Sequence, residues 1–350
     1  MKIIISTQTF LPKIGGMQIL MSSIASGLSK LEFDVSVFPD HYCKKNLYYK
    51  VYNTIFPKIL RPLAKRINIF FKSDKNDIYI CDSWKSVHSI PKNAKNIICF
   101  SLAQELLVRK QKEIRIQKAF DRCKYIIPIS NFTSSKIKSK WIVEEKKIKV
   151  INPTFSIKTK NIINKKISNN PLVIFSLCRI EKRKGLLQVA NSLIRVKKSL
   201  PNFRWHIAGN GDAKEALVDI IKNSKIRNNV IFEDMVTEKN KDLIFKMADL
   251  FVMPSYQEGK SLEGYGIAYS EASSYGVPSI GGIDGGAPDA IVNGSTGWCI
   301  NPNNKNEIDN AIKEALKNKT KRLQFGKNAL NLFESKQTSE IAFKKLIHLF

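Results

Sequence analysis

The chain has 350 residues, 43% hydrophobic and 25% charged, the balance of a soluble globular protein with room for about two domains of roughly 150 residues. Fifty-eight Lys and Arg against 30 Asp and Glu give a net charge of +28, which excludes an acidic surface and points to anionic partners. No apolar run reaches 18 residues, so no membrane-spanning helix is expected; "MKIIISTQTF" is too briefly apolar for a signal-peptide core, and six cysteines without a CxxC pair read as reduced thiols.

The charge is skewed. Residues 1–155 hold 28 Lys/Arg and 11 Asp/Glu, a net of +17, whereas 171–350 hold 26 and 19, a net of +7. A Lys-, Asn- and Ile-rich composition, as an AT-rich genome produces, accounts for the total better than for the skew.

In chain order, the β-branched runs KIIIS (2–6), DVSVF (34–38), IYIC (78–81), NIICF (96–100), YIIPI (125–129) and IKVI (148–151) predict a first series of strands. A second series follows: LVIFSL (172–177), RWHIAG (204–209), VIFE (230–233), LFVMP (250–254) and PSIGG (278–282). Helical periodicity lies between most of them, as at 17–30, 185–198, 213–223 and 304–318. Alternation of this kind predicts an α/β protein with two doubly wound parallel sheets, Rossmann-like, with helices on both faces. The expected division is 1–155, a Lys/Asn-rich linker at 156–170, 171–330, and a C-terminal helix at 331–350 that can cross back to the first domain.

Ligands of open parallel sheets bind beyond the carboxyl ends of the strands, so the loops there carry the functional reading. After the first strand, Gly15 and Gly16 precede a helix, a turn where backbone N–H groups can approach an anion. After LVIFSL come Arg179 and Lys184, cations able to clamp a diphosphate, one by a planar fork and one as a point charge. A basic solvated loop is the competing reading there. His206 lies inside a strand and reads as a packed histidine. After LFVMP a glycine-rich loop carries Glu263, a helix follows, and Glu271 lies two turns down it, on the order of 12 Å away. Free N–H groups of residues 264–267 lie between the two carboxylates. Sugar hydroxyls, a diphosphate and ribose hydroxyls are spaced to match.

These residues resemble the GT-B fold, retaining glycosyltransferases of the family 4 type. The motif Glu–seven residues–Glu appears as Glu263 to Glu271, an Arg–Lys pair five apart as Arg179 and Lys184, and the first-strand glycine pair as Gly15 and Gly16. "GGAPDAIVNGSTGWCI" (285–300) is most similar to bacterial phosphatidylinositol-mannoside mannosyltransferases, and "PISNFTSSKI" (128–137) also fits. The resemblance implies two Rossmann-like domains facing each other across a cleft. It implies that Glu271 binds ribose and that Glu263, with the N–H groups of Gly266 and Ile267, holds the donor sugar. Arg179 and Lys184, helped by Gly16, would stabilise the departing nucleoside diphosphate, and Val236 would lie by the base. The chain has no Asp-x-Asp pair, in agreement with a site that needs no metal or other cofactor. One departure stands out: where the family has a His-Gly-x-Glu stretch, this chain reads "LAQE", with Leu102 and Ala103 in place of His and Gly. A hold on the sugar through Ser101 is one consequence; a non-catalytic or remodelled nucleotide-sugar-binding protein at the membrane is the other.

Residues 44–75 hold nine Lys/Arg, one acid and many apolar side chains. They predict peripheral contact with an anionic membrane, although Pro57 and Pro62 interrupt a continuous helix. No nucleic-acid module is visible. The expectation is a cytoplasmic hexosyltransferase on the inner face of the cell membrane, acting on a glycan or lipid-linked acceptor. A phosphorylase would need a pyridoxal phosphate lysine context, which is not seen, and the two-glutamate motif disfavours an epimerase.

Overall fold

The computed structural model describes all residues except 1, 13, 14, 44–47, 55, 58, 109 and 158–170; of the expected linker only Ser156 and Ile157 are described. The chain divides into two units: Met1–Ser156 with Ser339–Phe350, and Ile157–Thr338.

The first unit contains β1 (Lys2–Thr7), α1 (Gly16–Lys30), β2 (Asp34–Pro39), β3 (Lys50–Val51), α2 (Arg61–Lys72), β4 (Ile78–Cys81), α3 (Trp84–Val87), β5 (Asn96–Ser101), α4 (Lys110–Asp121), β6 (Tyr125–Pro128) and α5 (Asn131–Lys140). Its sheet is parallel, in the order β3-β2-β1-β4-β5-β6, with Ile3 facing Val35 on one side and Ile78 on the other. Ile3, Ile4 and Ile5 are all fully buried, because helices cover both faces and a continuous apolar run then suits the strand better than alternation.

The second unit contains β7 (Leu172–Leu177), α6 (Leu186–Val196), β8 (Phe203–Ala208), α7 (Lys214–Lys222), β9 (Val230–Asp234), α8 (Glu238–Met247), β10 (Leu250–Met253), α9 (Ile267–Ser274), β11 (Ser279–Gly282), α10 (Ala287–Ala290), β12 (Gly297–Ile300), α11 (Lys305–Lys317) and α12 (Lys319–Leu332). Its sheet is also parallel, ordered β12-β11-β10-β7-β8-β9. Leu172, Ile174, Trp205 and Ile207 face Leu193, Leu217, Ile312 and Leu316 in one buried cluster.

Four expectations are corrected. IKVI is not a strand: a tight turn at Glu145–Lys147 delivers it to the edge of β6, where it makes one bridge, Ile148 to Ile126, and two spaced hydrogen bonds. Its Ile148 and Ile151 still fill the core. Strands β3 and β12 went unforeseen, the first too short and the second a Gly-Trp-Cys-Ile run in which a Cβ at Gly297 would overlap the Ser279 carbonyl oxygen. Pro62 sits in the first turn of α2, where its missing N–H costs nothing, so it opens the helix and does not break it. Finally, 331–350 is not one helix. α12 ends at Leu332, a π-turn spans Phe333–Gln337, and α13 (Ser339–Ile347) belongs to the first unit. There the Phe343 ring packs edge-on to Phe155 at 5.0 Å and lies over Gly27, where any side chain would overlap it.

Candidate functional site

In the second sheet β8 and β9 extend to one side of β7, while β10, β11 and β12 extend to the other. The strand order therefore reverses between β7 and β10, and the loops leaving their carboxyl ends flank the crevice where such sheets take ligands.

The loop after β7 is shaped by one residue. Gly185 has φ of +75°, and a Cβ there would overlap the Pro254 carbonyl oxygen at the end of β10. Only glycine closes the tight turn Lys182–Lys184 against that strand. The turn sends Lys184 inward, its side chain 10% exposed, where Nζ donates to Glu263 Oε2. The Arg183 carbonyl accepts from Tyr256 N at 2.9 Å, a second tie to the β10 loop.

Glu263 is held from two directions. Its carbonyl oxygen accepts from Gly286 N at 2.9 Å, and Gly285, with φ of +73°, packs so closely that a side chain would overlap that same oxygen. Its carboxylate meets Lys184 and, at 3.5 Å, Arg183 Nη1. Burial alone would raise the Glu263 pKa, but the neighbouring Lys184 and Arg183 outweigh it and hold the carboxyl below its ordinary range. Glu181 extends the network, accepting from Arg183 Nε at 2.8 Å and Arg179 Nη1 at 3.0 Å. Arg179 itself is 64% exposed.

Helix α9 opens at Gly266, whose φ of +85° and close approach to the Tyr269 ring again require glycine. Tyr269 is buried and donates to the Met253 carbonyl at 2.5 Å, pinning the helix mouth to β10. Among the described residues the N–H groups of residues 264–267 have no hydrogen-bond acceptor, and the helix terminus adds partial positive charge beside Glu263. Further along α9, Glu271 Oε1 accepts from Lys241 Nζ at 2.7 Å, and Lys241 also reaches Glu238 at 2.9 Å. Burial pulls the Lys241 pKa down, but Glu271 and Glu238 leave it raised.

The structure thus brings Arg179, Lys184, Glu263, Gly266, Ile267 and Glu271 into one unit on the loops and helix mouth beside the switch point. Val236 follows β9 in the same unit, half-buried, after Asp234, which takes φ of +49°. Gly15 and Gly16 belong to the first unit. Gly15 is extended and caps α1, and a side chain at Gly16 would meet nothing within 4 Å. His206 is a packed residue, its Nδ1 2.6 Å from Glu233.

Sequence reasoning missed the inner partners Glu181, Arg183 and Lys241. Arg183 and its neighbours read as a solvated basic run, and the only available signal was their place beside Gly185. In the first unit it missed a carboxylate pair. Asp82, at the end of β4, accepts from Thr7 Oγ1 at 2.8 Å, Gln8 N at 2.7 Å and Ser86 Oγ at 2.6 Å. Burial and then Asp82 push the Glu105 carboxyl well up. Ser101 is fully buried with its hydroxyl 3.4 Å from Glu105, so it is committed inward and does not replace a histidine. Ala103 has φ of +69°, a position at which glycine would be unstrained.

The expectation for residues 44–75 is altered in one respect. Lys65 does not point to solvent: it is fully buried, paired with Asp40 and donating to the Thr7 carbonyl at 3.0 Å. Residues 44–47, 55 and 58 of that segment lie outside the described residues. Among the described residues no helix is long and apolar enough to cross a membrane, and no group of three or more potential ligands is placed to hold a metal.

Comparison with known proteins agrees with this architecture. The family model described as glycosyl transferases group 1 matches residues 158–332. A GDP-mannose-dependent alpha-(1-6)-phosphatidylinositol monomannoside mannosyltransferase of Mycolicibacterium smegmatis is 30% identical over 152 residues, 43% of this chain and 40% of that protein. The matched stretch spans less than half the length of that relative. An uncharacterized glycosyltransferase of Methanocaldococcus jannaschii is 24% identical across 88% of this chain and 87% of its own. Among solved structures, Anabaena HepE in complex with UDP superposes with a TM-score of 0.81 at 16% identity, covering 99% of both chains. The fold is GT-B, and the chain belongs to the group 1 glycosyltransferases.

Proposed function

We propose that this protein is a retaining, metal-independent glycosyltransferase that moves a hexose from a nucleoside-diphosphate sugar to a glycan or lipid-linked acceptor in surface polysaccharide or glycolipid synthesis. One observation carries the reading. Lys184 is bound to Glu263 beside the unoccupied N–H groups at the mouth of α9, with Arg179 on the same loop.

In this reading Lys184 and Arg179 are the cations that meet the charge developing on the departing diphosphate. The free N–H groups of the α9 mouth add to that field. Glu263, kept ionised, accepts from hydroxyls of the donor sugar. Glu271, whose Oε1 already accepts from Lys241, takes the ribose hydroxyl pair, and Val236 lies by the base. Gly15 and Gly16, at the head of α1 in the first unit, are a further turn without side chains that an anion can approach. Retention fits same-face attack, with the leaving phosphate taking the acceptor proton. The relative from M. smegmatis is named for GDP-mannose and HepE was solved with UDP, so both bases belong in the test.

The acceptor side of the proposal rests on the first unit. Ile59, Leu60, Leu63, Ile67, Phe70 and Phe71 on and before α2 are exposed, Ile59 by 90% and Phe71 by 79%. Arg61 and Lys72 stand beside them on the same helix. Apolar side chains with flanking cations suit an anionic bilayer surface, which supports a reading of the enzyme on the inner face of the cell membrane.

The test is thermal stabilisation of the purified chain by UDP, GDP and ADP and their sugar conjugates in EDTA, with Glu271→Ala in parallel. Ligand at about 100 times its dissociation constant adds roughly 2.7 kcal/mol. A shift with one base that Glu271→Ala abolishes supports the donor site. No shift with any nucleotide removes it.

A further inference from the structure

We infer that Arg183 is a positioning residue that takes over the Glu263 carboxylate when Lys184 turns to the diphosphate. The inference rests on the donor-site reading above.

The same lysine cannot serve two anions equally. In the free protein Lys184 Nζ is spent on Glu263. If Lys184 neutralises a diphosphate, Glu263 loses its main cation in a site where burial favours the protonated form. A protonated Glu263 has given up one acceptor site and the negative charge that strengthens its bonds to sugar hydroxyls. Arg183 is arranged to prevent this. Its Nη1 lies 3.5 Å from Glu263 Oε2 without a well-formed hydrogen bond, and it is buried with no hydrogen-bond partner. An unsatisfied buried donor is costly, and a small shift of the Glu263 carboxylate as Lys184 leaves would satisfy it. The guanidinium is already aimed, because Nε is tethered to Glu181 at 2.8 Å. Glu181 also holds Arg179, so one carboxylate orients both arginines of the loop.

Among the described residues Glu181 lies behind Arg183, and two further titratable groups face Glu263 without supplying charge. Cys178, at the end of β7, is pushed up to about 12 by burial, and Tyr269 on α9 is pushed up by burial and then by Glu263. Both are neutral at physiological pH. Lys184 and Arg183 are therefore the cations that set the Glu263 charge.

The consequence is a proton count. In the wild type, ligand binding exchanges one cation on Glu263 for another, and the carboxyl takes up no proton. In Arg183→Met, binding strips Glu263 of its cation, its pKa rises in the complex, and a proton is taken up. Affinity for a nucleoside diphosphate then weakens at high pH and recovers as pH falls, because the bound state holds more protons than the free state.

The experiment is calorimetric titration of wild type, Arg183→Met, Arg183→Lys and Glu181→Gln with UDP, GDP and ADP, in buffers of different ionisation enthalpy from pH 5.5 to 8. The expected result is an extra uptake approaching one proton in Arg183→Met. Its affinity falls on the order of tenfold relative to wild type at pH 8 and narrows toward wild type at pH 5.5. Arg183→Lys restores wild-type behaviour, and Glu181→Gln lies between. If Arg183→Met is weaker by the same factor at every pH with no extra proton, Arg183 is merely structural. Should wild type bind none of the three nucleotides, the donor-site reading falls and this inference with it. Binding abolished by Glu271→Ala but pH-parallel in Arg183→Met sinks the inference alone.

Discussion

The Lys184–Glu263 pair makes a prediction about the free protein that needs no substrate. Replace Lys184 with methionine, which keeps the length of the stem and removes the charge. Both side chains are largely buried, and removing one partner of a buried ion pair costs about 3–5 kcal/mol, because a charge is left uncompensated. Arg183 remains at 3.5 Å, which places the expected loss at the lower end, about 3 kcal/mol at pH 7. For a unit of this size that is a fall in Tm of roughly 6–12 °C.

The pH dependence follows from the sign of the shift. In the wild type the folded-state Glu263 pKa is depressed, so its contribution is full above the ordinary carboxylate value and is lost as pH falls through the folded value. In the variant Arg183 is the cation that remains on Glu263, so the folded-state value rises from its depressed wild-type position toward the ordinary one. The variant's penalty is then full at neutral pH and disappears below the ordinary carboxylate value, where Glu263 is protonated in both folded and unfolded chains. The Tm gap between wild type and Lys184→Met, measured by scanning fluorimetry from pH 8 to pH 4, should therefore close as pH falls. Adding Glu263→Gln to Lys184→Met should recover much of the loss at pH 7, since the buried carboxylate that lost its closest cation is gone. A gap of the same size at pH 4 and pH 7, unrelieved in the double variant, would falsify the claim that a buried charge pair is what Lys184 contributes.

Three further outcomes are expected. Gly185→Ala should destabilise by more than about 2 kcal/mol in chemical denaturation, since it combines a positive φ with overlap on the Pro254 carbonyl; Gly259→Ala, also at positive φ but in open space, should cost about 1 kcal/mol. Gly285→Ala should displace the Glu263 backbone and weaken nucleotide-sugar binding more than nucleoside-diphosphate binding, which competition titrations can separate; equal losses would mean that Glu263 does not face the sugar. Phe70→Asp with Phe71→Asp should reduce sedimentation with vesicles of anionic lipid at least tenfold while leaving nucleotide binding unchanged. Vesicle binding that survives both changes would remove α2 from the membrane reading.

The parts of the molecule that the sequence disclosed share a physical cause. Parallel strands covered on both faces must be continuous apolar runs, so Ile3, Ile4 and Ile5 or Leu250, Phe251 and Val252 announce themselves. Loops beyond their carboxyl ends must carry chemistry on few residues, so Lys184, Glu263 and Glu271 stand out among glycines. What stayed hidden depends on direction. Lys65 has the same composition-level meaning as Arg61 or Lys72, yet it turns inward to Asp40 and the Thr7 carbonyl, because α2 buries only the stripe that carries Lys65 and Ile69. A run of cations cannot say which member faces the core.

Arg183 shows the same limit within the site. From sequence it is one of three consecutive basic residues, Lys182, Arg183 and Lys184, and a solvated run is the economical reading. The tight turn decides otherwise. Gly185 in the left-handed region reverses the chain against Pro254, and three adjacent cations are thereby sent to different places: Lys182 to solvent, Lys184 onto Glu263, and Arg183 between Glu181 and Glu263. The glycine is legible in the sequence and its consequence is not, since φ at Gly185 fixes the directions of the three residues before it only when the carbonyl it must avoid is known. That carbonyl belongs to Pro254, just past the end of β10 and 69 residues downstream. The charge network of the site is therefore a tertiary property, set where two strands on either side of the switch point bring their loops together.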